Sequence, residues 1–216
     1  MIIILMGAPG VGKGTQSTAL SKWLKIPHIA LGDILRKNVS EQTQVGKEAE
    51  DFMKNGLLVP DKVILEVVNS RIQENDCEEG FILDGFPRTI TQAEDLEKLL
   101  GNTSKKITAV FNIEAEYKHL LERIIGRRVC KNCGETYHVL HQKPQNEQHC
   151  DVCGTELTQR KDDTEETLNN RIREYEEQTK PLIGFYEERG ILITINAEDI
   201  KESITERILK HLGESV

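Results

Sequence analysis

Apolar residues along the chain form short runs that are separated by longer segments of mixed polarity. Four runs have the length of a buried strand, and they cover residues 1–6, 80–84, 107–113 and 191–195. Segments of helical length lie between and after these runs, at residues 16–24, about 61–75, 115–125 and 201–212. Strands that alternate with helices predict a parallel sheet covered by helices on both faces. Ligands of such sheets bind beyond the carboxyl ends of the strands.

Two shorter helices are predicted between the first helix and the run at 80–84. Residues 26–30 are extended, because Pro27 prevents a helix from continuing. Helical stretches follow at 31–38 and 45–55, and Gly56 is placed to end the second. The region 30–59 is therefore predicted to be a helical pair inserted between core elements, although such helices also occur for packing alone.

A glycine-rich stretch, GAPGVGKGT at residues 7–15, joins the first strand to the first helix. Its glycines allow several backbone N–H groups to converge on one anion at the positive end of the helix. Lys13 can reach the terminal phosphates, and the Thr15 hydroxyl can bind Mg²⁺. Gly14 stands where the usual pattern has the hydroxyl. The alternative is a turn without function; the strand before it favours a nucleoside triphosphate site.

Asp84 ends the apolar run at 80–84 and is followed at once by Gly85. In phosphate-loop proteins an aspartate at the end of a neighbouring strand commonly assists Mg²⁺. The alternative is that Asp84 caps the next helix, but Thr89 or Thr91 can do that instead. We therefore favour the metal role.

Four cysteines, Cys130, Cys133, Cys150 and Cys153, have the spacing of a metal site. Four thiolates suit Zn²⁺ in a closed structural site that leaves no position for catalysis. Iron in the same ligands, or cysteines without a metal, are the alternatives. Nearby histidines are then expected to be exposed loop residues, and Cys77 a lone thiol; the histidines are His138, His141 and His149.

Arginines flank this cysteine segment on both sides. They are Arg123, Arg127, Arg128, Arg160 and Arg171. Arg123 and Arg127 are predicted to share one helix face, and Asp163 with Glu166 forms a candidate capping box for the helix that follows. Surface ion pairs are one interpretation of the arginines. Their position around an insertion in a phosphate-loop protein favours phosphate binding instead.

Composition narrows the functional class. A chain of 216 residues allows one core with small insertions. Its net charge of −8 disfavours general nucleic-acid binding. No segment has the roughly 20 apolar residues of a membrane span, and the first residues do not have the pattern of a signal peptide. We expect a cytoplasmic protein, whose five cysteines are not a disulfide framework.

Four motifs together closely resemble the adenylate kinase family. They are GAPGVGKGTQ at 7–16, DGFPRT at 84–89, GRR at 126–128 and RKDD at 160–163. The cysteine segment is similar to the lid of the bacterial long-form, zinc-containing members. The resemblance implies an α/β fold, with a P-loop parallel sheet flanked by helices, a small helical insertion that binds the nucleoside monophosphate, and a zinc-bearing lid. The implied core is 1–29, 60–125 and 164–216, the monophosphate-binding part is 30–59, and the lid is 126–163.

The resemblance also implies an activity and its residues. The reaction is Mg·ATP + AMP ⇌ 2 ADP, catalysed by a monomer without nucleic-acid or membrane partners. The implied catalytic residues are Lys13, Arg88, Arg123, Arg160 and Arg171. ATP is expected to contact Gly10, Val11, Gly12, Lys13, Gly14, Thr15, Arg127, Thr136 and Tyr137. AMP is expected to contact Leu31, Arg36, Leu57, Leu58, Val59, Gly85, Phe86, Pro87, Arg88, Gln92, Arg160 and Arg171. Asp84 is expected to hold Mg²⁺ through water.

Two departures from the family pattern are visible. Many members have Thr where this chain has Leu31, so a hydroxyl near the monophosphate is replaced by an apolar group. The amide of Gln92 is expected to stay available for the base. Near residues 196–200 the family contacts ATP, but the alignment there is ambiguous and no residue is assigned.

Two other functions compete with this interpretation. A UMP or CMP kinase shares the loop and the DGFPR element but generally lacks the long metal-binding lid. A zinc ribbon that binds nucleic acid or protein, with the nucleotide as a switch, is expected to be basic. Residues 134–159 contain a single lysine, Lys143, against four acidic residues. The charge of this segment therefore disfavours the ribbon.

Overall fold

The computed structural model describes residues 1–101, 105–197 and 201–213, with the backbone alone for 201–203. Eight strands are named here in chain order: β1 (Ile2–Gly7), β2 (His28–Ala30), β3 (Phe81–Asp84), β4 (Ile107–Glu114), β5 (Arg127–Cys130), β6 (Thr136–His138), β7 (Leu157–Thr158) and β8 (Leu192–Asn196). The helices are α1 (Lys13–Leu24), α2 (Leu31–Ser40), α3 (Gln44–Asn55), α4 (Asp61–Ile72), α5 (Ile90–Gly101), α6 (Tyr117–Ile125), α7 (Glu165–Glu174), α8 (Leu182–Glu187) and α9 (Lys201–His211).

Five strands form the central sheet, in the order β2-β3-β1-β4-β8, and every pairing is parallel. Successive side chains of β1 enter opposite faces of this sheet, as the pleat requires. Ile2 and Ile4 pack with α4, α5 and α8 residues, whereas Ile3 and Leu5 pack with residues of α1, α6 and α9. The fold is therefore the predicted α/β layer structure, with helices on both faces of a parallel sheet.

The segment at 30–59 contains α2 and α3, which pack against each other. Thr43 caps α3, since its hydroxyl accepts a hydrogen bond from the Gly46 N–H at 3.0 Å. Gly56 ends that helix with φ 72°, as its position in the sequence predicts.

The cysteine segment forms a second, smaller sheet, antiparallel and in the order β6-β5-β7. Its buried cluster consists of Cys130, Tyr137, Cys150 and Leu157. A core of four side chains is too small to hold a fold by hydrophobic burial alone. A metal ion at the cysteines would supply the missing stabilisation.

Several local predictions were wrong. Arg123 and Arg127 do not share a helix face, because α6 ends at Ile125 and Arg127 begins β5. Asp163 does not cap α7; Thr164 does, by accepting from the Thr167 N–H at 3.2 Å. The helix predicted at 61–75 ends at Ile72 and is followed by a short 3₁₀ turn.

None of the helices in the described parts of the chain has the length and apolarity needed to cross a bilayer.

Candidate active site

The glycine-rich loop is packed tightly against two core elements, β4 and α6. A Cβ on Gly7 would lie 2.2 Å from the carbonyl oxygen of Ile113, at the end of β4. A Cβ on Gly10 would lie 2.9 Å from the carbonyl oxygen of Leu120, in α6. Both glycines have positive φ angles, 136° and 85°, which other residues adopt with strain. Among the residues that the structure describes, no side chain caps α1, so the N–H groups of its first turn are left for an anion.

Lys13 is the first residue of α1, three residues earlier than the pattern predicts, and its ammonium group lies inside the loop. Its Nζ donates to the carbonyl oxygens of Gly7 at 2.8 Å and Ala8 at 3.0 Å. Burial lowers the pKa of Lys13 to about 8, although the Asp84 carboxylate acts in the opposite direction. The ammonium group is thus poorly solvated, which strengthens its attraction for a phosphate.

Asp84 lies beside the loop at the end of β3. A Cβ on Gly14 would lie 3.3 Å from its Oδ2, so the glycine at this position leaves room for the carboxylate. His28 Nε2 is 3.2 Å from the same oxygen. Burial raises the pKa of Asp84, but the His28 hydrogen bond and the Lys13 charge outweigh this and hold the pKa below its usual value. Asp84 does not cap α5, because the Thr89 hydroxyl accepts from the Gln92 N–H at 3.1 Å. A charged carboxylate at this place fits a Mg²⁺ ion bound with a nucleotide.

Arg88 lies at the turn between β3 and α5. Its Nε donates to the Gly85 carbonyl at 2.8 Å, and its backbone N–H donates to Gln92 Oε1 at 2.8 Å. Burial, with the nearby charge of Arg171, lowers the pKa of Arg88 to about 10. Gln92 Nε2 donates to Asp61 Oδ1 at 2.6 Å. Each end of the Gln92 amide thus has one partner, which orients the amide on the cleft wall and leaves its second N–H as a donor.

Four more arginines are held by three acids. Asp33 accepts from Arg36 at 2.6 Å and from Arg160 at 2.8 Å. Asp162 pairs with Arg171 and lies 3.8 Å from Arg36, and Asp163 pairs with Arg127. Burial raises the pKa values of Asp33 and Asp162, but the arginine charges outweigh it, so both pKa values lie below the usual range. Burial also lowers the pKa of Arg160 to about 10.

Arg123 makes a different set of contacts. Its guanidinium group donates to the carbonyl oxygens of Val11 at 3.2 Å and Ala197 at 3.0 Å. It therefore joins α6 to the phosphate loop and to the residue after β8. The ATP contact left unassigned near 196–200 mostly lies outside the described residues.

The phosphate loop, Asp84 and the arginines described above line one cleft of about 1610 Å³ at the carboxyl ends of the strands. The predicted site residues on its wall include the loop from Gly10 to Thr15, Asp84, Lys13 and every predicted arginine except Arg128. Leu31, Leu57, Leu58 and Val59 form an apolar part of the wall, with Gly85 and Pro87 beside it. Phe86 is placed elsewhere, because its side chain is 1% exposed and packs in the core beneath the cleft.

The cysteine cluster belongs to the smaller sheet, since Cys130 is the last residue of β5, and Cys133 also lines the cleft. Its four sulfur atoms lie within 4.8 Å of one another, and pairs are separated by 3.4 Å, 3.4 Å and 3.5 Å. A tetrahedral zinc ion with Zn–S bonds of about 2.3 Å requires sulfur separations of about 3.8 Å. The four thiols therefore fit a tetrahedral metal ion. The Tyr137 hydroxyl lies 3.5 Å from Cys150 Sγ, so this predicted ATP contact also touches the metal site.

Comparison with known proteins agrees with this geometry. A family model described as adenylate kinase matches residues 5–191. The adenylate kinase of Caldicellulosiruptor bescii is 51% identical over 213 residues, covering 99% of each chain. That of Clostridium perfringens strain SM101 is 47% identical over 213 residues, again 99% of each chain. That of Desulforamulus reducens is 48% identical over 209 residues, 97% of this chain and 98% of the other.

The chain belongs to the adenylate kinase family. It is accordingly a nucleoside monophosphate kinase, as its motifs predict. In this adenylate kinase family member, the phosphate loop and all the predicted arginines but Arg128 meet in one cleft, although they come from distant parts of the chain.

Sequence reasoning missed some residues of this adenylate kinase site and misplaced one. His28 had no signal other than its position on a short strand beside β3. Asp33 and Asp162 were not predicted to hold arginines. The pair of Asp33 with Arg160 joins residues 127 positions apart, but its pair with Arg36 has i,i+3 spacing within α2, a signal that was overlooked. His138 was predicted to be exposed in a loop, but it lies buried in β6, where its Nε2 is 3.1 Å from the Glu122 carbonyl oxygen.

Proposed function

We propose that the enzyme transfers a phosphoryl group reversibly from Mg·ATP to AMP, giving two ADP molecules. The observation that supports this most strongly is the convergence of Lys13 and five arginines on one cleft beside the phosphate loop. Such a concentration of buried positive charge suits two nucleotides whose phosphates face each other. The five arginines are Arg36, Arg88, Arg123, Arg160 and Arg171.

The ATP end of the cleft is proposed to be the phosphate loop. Backbone N–H groups from Gly10 to Thr15 bind the β- and γ-phosphates, and Lys13 neutralises the charge that develops on the transferred group. A Mg²⁺ ion bound with ATP would supply positive charge to neutralise part of the phosphate charge. Thr15 and Asp84 are the residues placed to hold it, the latter through water. Arg127, Thr136 and Tyr137 face the same space from the lid.

The AMP end is proposed to lie between α2 and the turn after β3. Arg36, Arg88 and Arg171 bind the α-phosphate of AMP, and Arg160 with Arg123 bridges the two nucleotides. The apolar wall around Leu31 and Val59 holds the base and ribose. No general base is required, because the acceptor is already a phosphate oxygen.

The acids Asp33, Asp162 and Asp163 are proposed to orient the arginines. A carboxylate holds a guanidinium group by charge-assisted hydrogen bonds, which fix the direction of its remaining N–H groups. A phosphate carries more charge than a carboxylate, so it can share or take over these donors. Arginines held in place lose less conformational freedom when a nucleotide binds.

The cysteine-bearing segment at 126–163 is proposed to be a zinc lid, and the helical pair at 30–59 the monophosphate-binding part. The two segments close over the nucleotides and keep water from the transferred phosphoryl group. The rest of the chain, at 1–29, 60–125 and 164–216, is the core. Cysteines grouped for a metal rather than in a disulfide framework support a cytoplasmic protein. We propose that it acts as a monomer, as the resemblance implies.

A coupled assay tests the proposed activity. Purified enzyme with Mg·ATP is given AMP, GMP, CMP or UMP in turn, and formation of nucleoside diphosphate is measured. We expect AMP to be strongly preferred and the reverse reaction to proceed from ADP alone. Comparable turnover of CMP or UMP would overturn the assignment of AMP and favour a pyrimidine monophosphate kinase.

A further inference from the structure

The helix that carries Arg171 contains a π-helical turn, at Tyr175–Thr179, between α7 and α8. The Lys180 N–H donates to the Tyr175 carbonyl at 2.8 Å, which is the i to i+5 bond of such a turn. In an uninterrupted α-helix, residue 179 would point about 80° away from residue 171 around the axis. One inserted residue reduces the difference to about 20°. Arg171 and Thr179 accordingly both face the cleft.

Thr179 uses its side chain to contact the backbone of Arg88. Its hydroxyl donates to the Arg88 carbonyl oxygen at 2.9 Å, and the residue is only 7% exposed. Arg88 is thereby held at three points: at its carbonyl by Thr179, at its N–H by Gln92 and at its Nε by Gly85. The bonds from Gln92 and Gly85 are local. The bond from Thr179 comes from 91 residues away.

This hydrogen bond connects two cations of the proposed monophosphate site. Arg171 lies on α7, and Arg88 follows β3, so no local structure fixes the distance between them. The two guanidinium groups repel each other, and the charge of Arg171 contributes to the lowered pKa of Arg88. Two like charges that are held close together create a site for a dianionic phosphate. A contact that fixes their relative position reduces the reorganisation needed when the phosphate binds.

We infer that Thr179 is a positioning residue for the monophosphate site, whose hydroxyl fixes Arg88 relative to the helix that carries Arg171. This inference rests on the proposed function, because it assigns to Arg88 and Arg171 the α-phosphate of AMP. Thr179 does not touch the nucleotide in this mechanism. It acts through the Arg88 backbone.

The test compares Thr179→Val, which keeps the shape of the side chain but removes the hydroxyl, with Thr179→Ser, which keeps the hydroxyl. Binding of AMP is measured by calorimetry, and KM for AMP, KM for ATP and kcat are measured by the coupled assay. For Thr179→Val we expect Kd and KM for AMP to rise about three- to tenfold, the range for one neutral hydrogen bond. KM for ATP should stay unchanged, and Thr179→Ser should bind AMP within about twofold of wild type.

Thr108→Val is the matched control. Its hydroxyl accepts a hydrogen bond from the Ile2 N–H at 3.1 Å, away from the cleft, so its loss should affect stability but not AMP binding. If Thr179→Val does not fold, Thr179→Ala replaces it, since water can then reach the Arg88 carbonyl. If wild type binds AMP and the variants that lack the Thr179 hydroxyl bind it equally well, the inference about Thr179 is overturned and the proposed function is not. Wild-type enzyme that neither binds nor phosphorylates AMP would overturn the proposed function and the inference with it.

Discussion

The side chains of Arg171 and Asp162 form an ion pair in which both are largely buried, with exposed fractions of 19% and 10%. The same carboxylate lies 3.8 Å from Arg36, so one acid faces two of the cations assigned to the monophosphate. Burial opposes ionisation of Asp162, but the charges of Arg171 and Arg36 outweigh it and hold its pKa below the usual value. Asp162 therefore stabilises the fold only while it is ionised.

Replacing this carboxylate should change how stability depends on pH. A lowered pKa in the folded state gives stability that is present above the unfolded value, about 3.9, and lost as the pH falls through the folded value. We expect Asp162→Asn to reduce the free energy of unfolding by about 1–3 kcal/mol at pH 7. The difference in unfolding free energy between Asp162→Asn and wild type should shrink below about pH 4. Urea unfolding at several pH values measures this difference.

Glu176→Gln is the matched control for this prediction, because Glu176 pairs with Lys180 in an exposed position. Exposed pairs contribute about 0–1 kcal/mol. A difference between Asp162→Asn and wild type that stays the same from pH 7 to pH 3 would contradict the role given to the Asp162 charge.

The sequence predicted those parts of the fold and site that depend on neighbouring residues. The order of glycines from Gly7 to Gly12 and the spacing of the four cysteines are local patterns, and the structure places them as expected. Contacts between distant residues were not predictable in this way. Arg160 and Asp33 are 127 positions apart. Their pairing depends on how the segment that carries Arg160 meets α2.

The end of α6 and the π-helical turn also could not be predicted from the pattern of apolar and polar residues. The spacing of Arg123 and Arg127 is helical, but the chain leaves the helix at Gly126. The π-helical turn that directs Thr179 toward Arg88 depends on an i to i+5 hydrogen bond. No pattern of residue types in the sequence marks such a turn. The structure was needed to reveal both features.

The lowered pKa of Lys13 predicts a pH effect on catalysis. Its ammonium group must be charged to attract the phosphates, and the pKa of about 8 means that this charge is lost as the pH rises above that value. We expect kcat/KM for ATP to fall above about pH 8, since it reports the free enzyme. The fall in kcat should occur at higher pH, because bound phosphates favour the charged form.

Lys13→Met removes the charge altogether, so its pH profile of kcat/KM for ATP is the reference for that of wild type. We expect kcat to fall by at least about 10²–10³ while the protein stays folded. Its remaining activity should lack the decline near pH 8. An unchanged kcat in this variant would mean that the loop does not assist the transfer step.

The cysteine cluster predicts a bound metal ion that supports the fold. Purified protein should contain about one equivalent of Zn²⁺, and Cys130→Ser should lose metal and have a lower melting temperature. Activity should persist at low temperature, because the site is structural. Cys77→Ser is the control, since Cys77 is buried outside the cluster and its loss should leave metal content unchanged. Protein purified without chelators and found free of transition metal would exclude the zinc site.

Gly126, which ends α6, and His138, which ends β6, are in direct contact. A Cβ on Gly126 would lie 2.2 Å from His138 Nε2, while its φ of −78° suits any residue. We expect Gly126→Ala to displace the His138 ring, lower the melting temperature and raise KM for ATP. Once His138→Ala has removed the ring, Gly126→Ala should cost little more. A double-mutant cycle of unfolding free energies measures this coupling.

Gly184→Ala provides the comparison for Gly126→Ala. Gly184 lies in α8, and a Cβ there would meet nothing within 4 Å. The change should be neutral or slightly stabilising, because alanine favours helix. Additive effects of Gly126→Ala and His138→Ala would show that the two residues do not interact in solution.

Leu31 is the position where the chain departs from the family pattern, and the structure makes its effect testable. It is the first residue of α2, is 3% exposed and lies on the wall of the cleft. Leu31→Thr supplies a hydroxyl, whereas Leu31→Val has nearly the same shape as threonine but no hydroxyl. Both variants lose buried apolar surface and should be less stable than wild type. We expect Leu31→Thr to have a KM for AMP several-fold lower than Leu31→Val, the range for one neutral hydrogen bond. KM for ATP should be the same in both.

Equal KM values for AMP in the Leu31→Thr and Leu31→Val variants would show that a hydroxyl at this position does not reach the nucleotide. If wild type used CMP or UMP as well as AMP, both this role of Leu31 and the assignment of AMP as the substrate would be wrong.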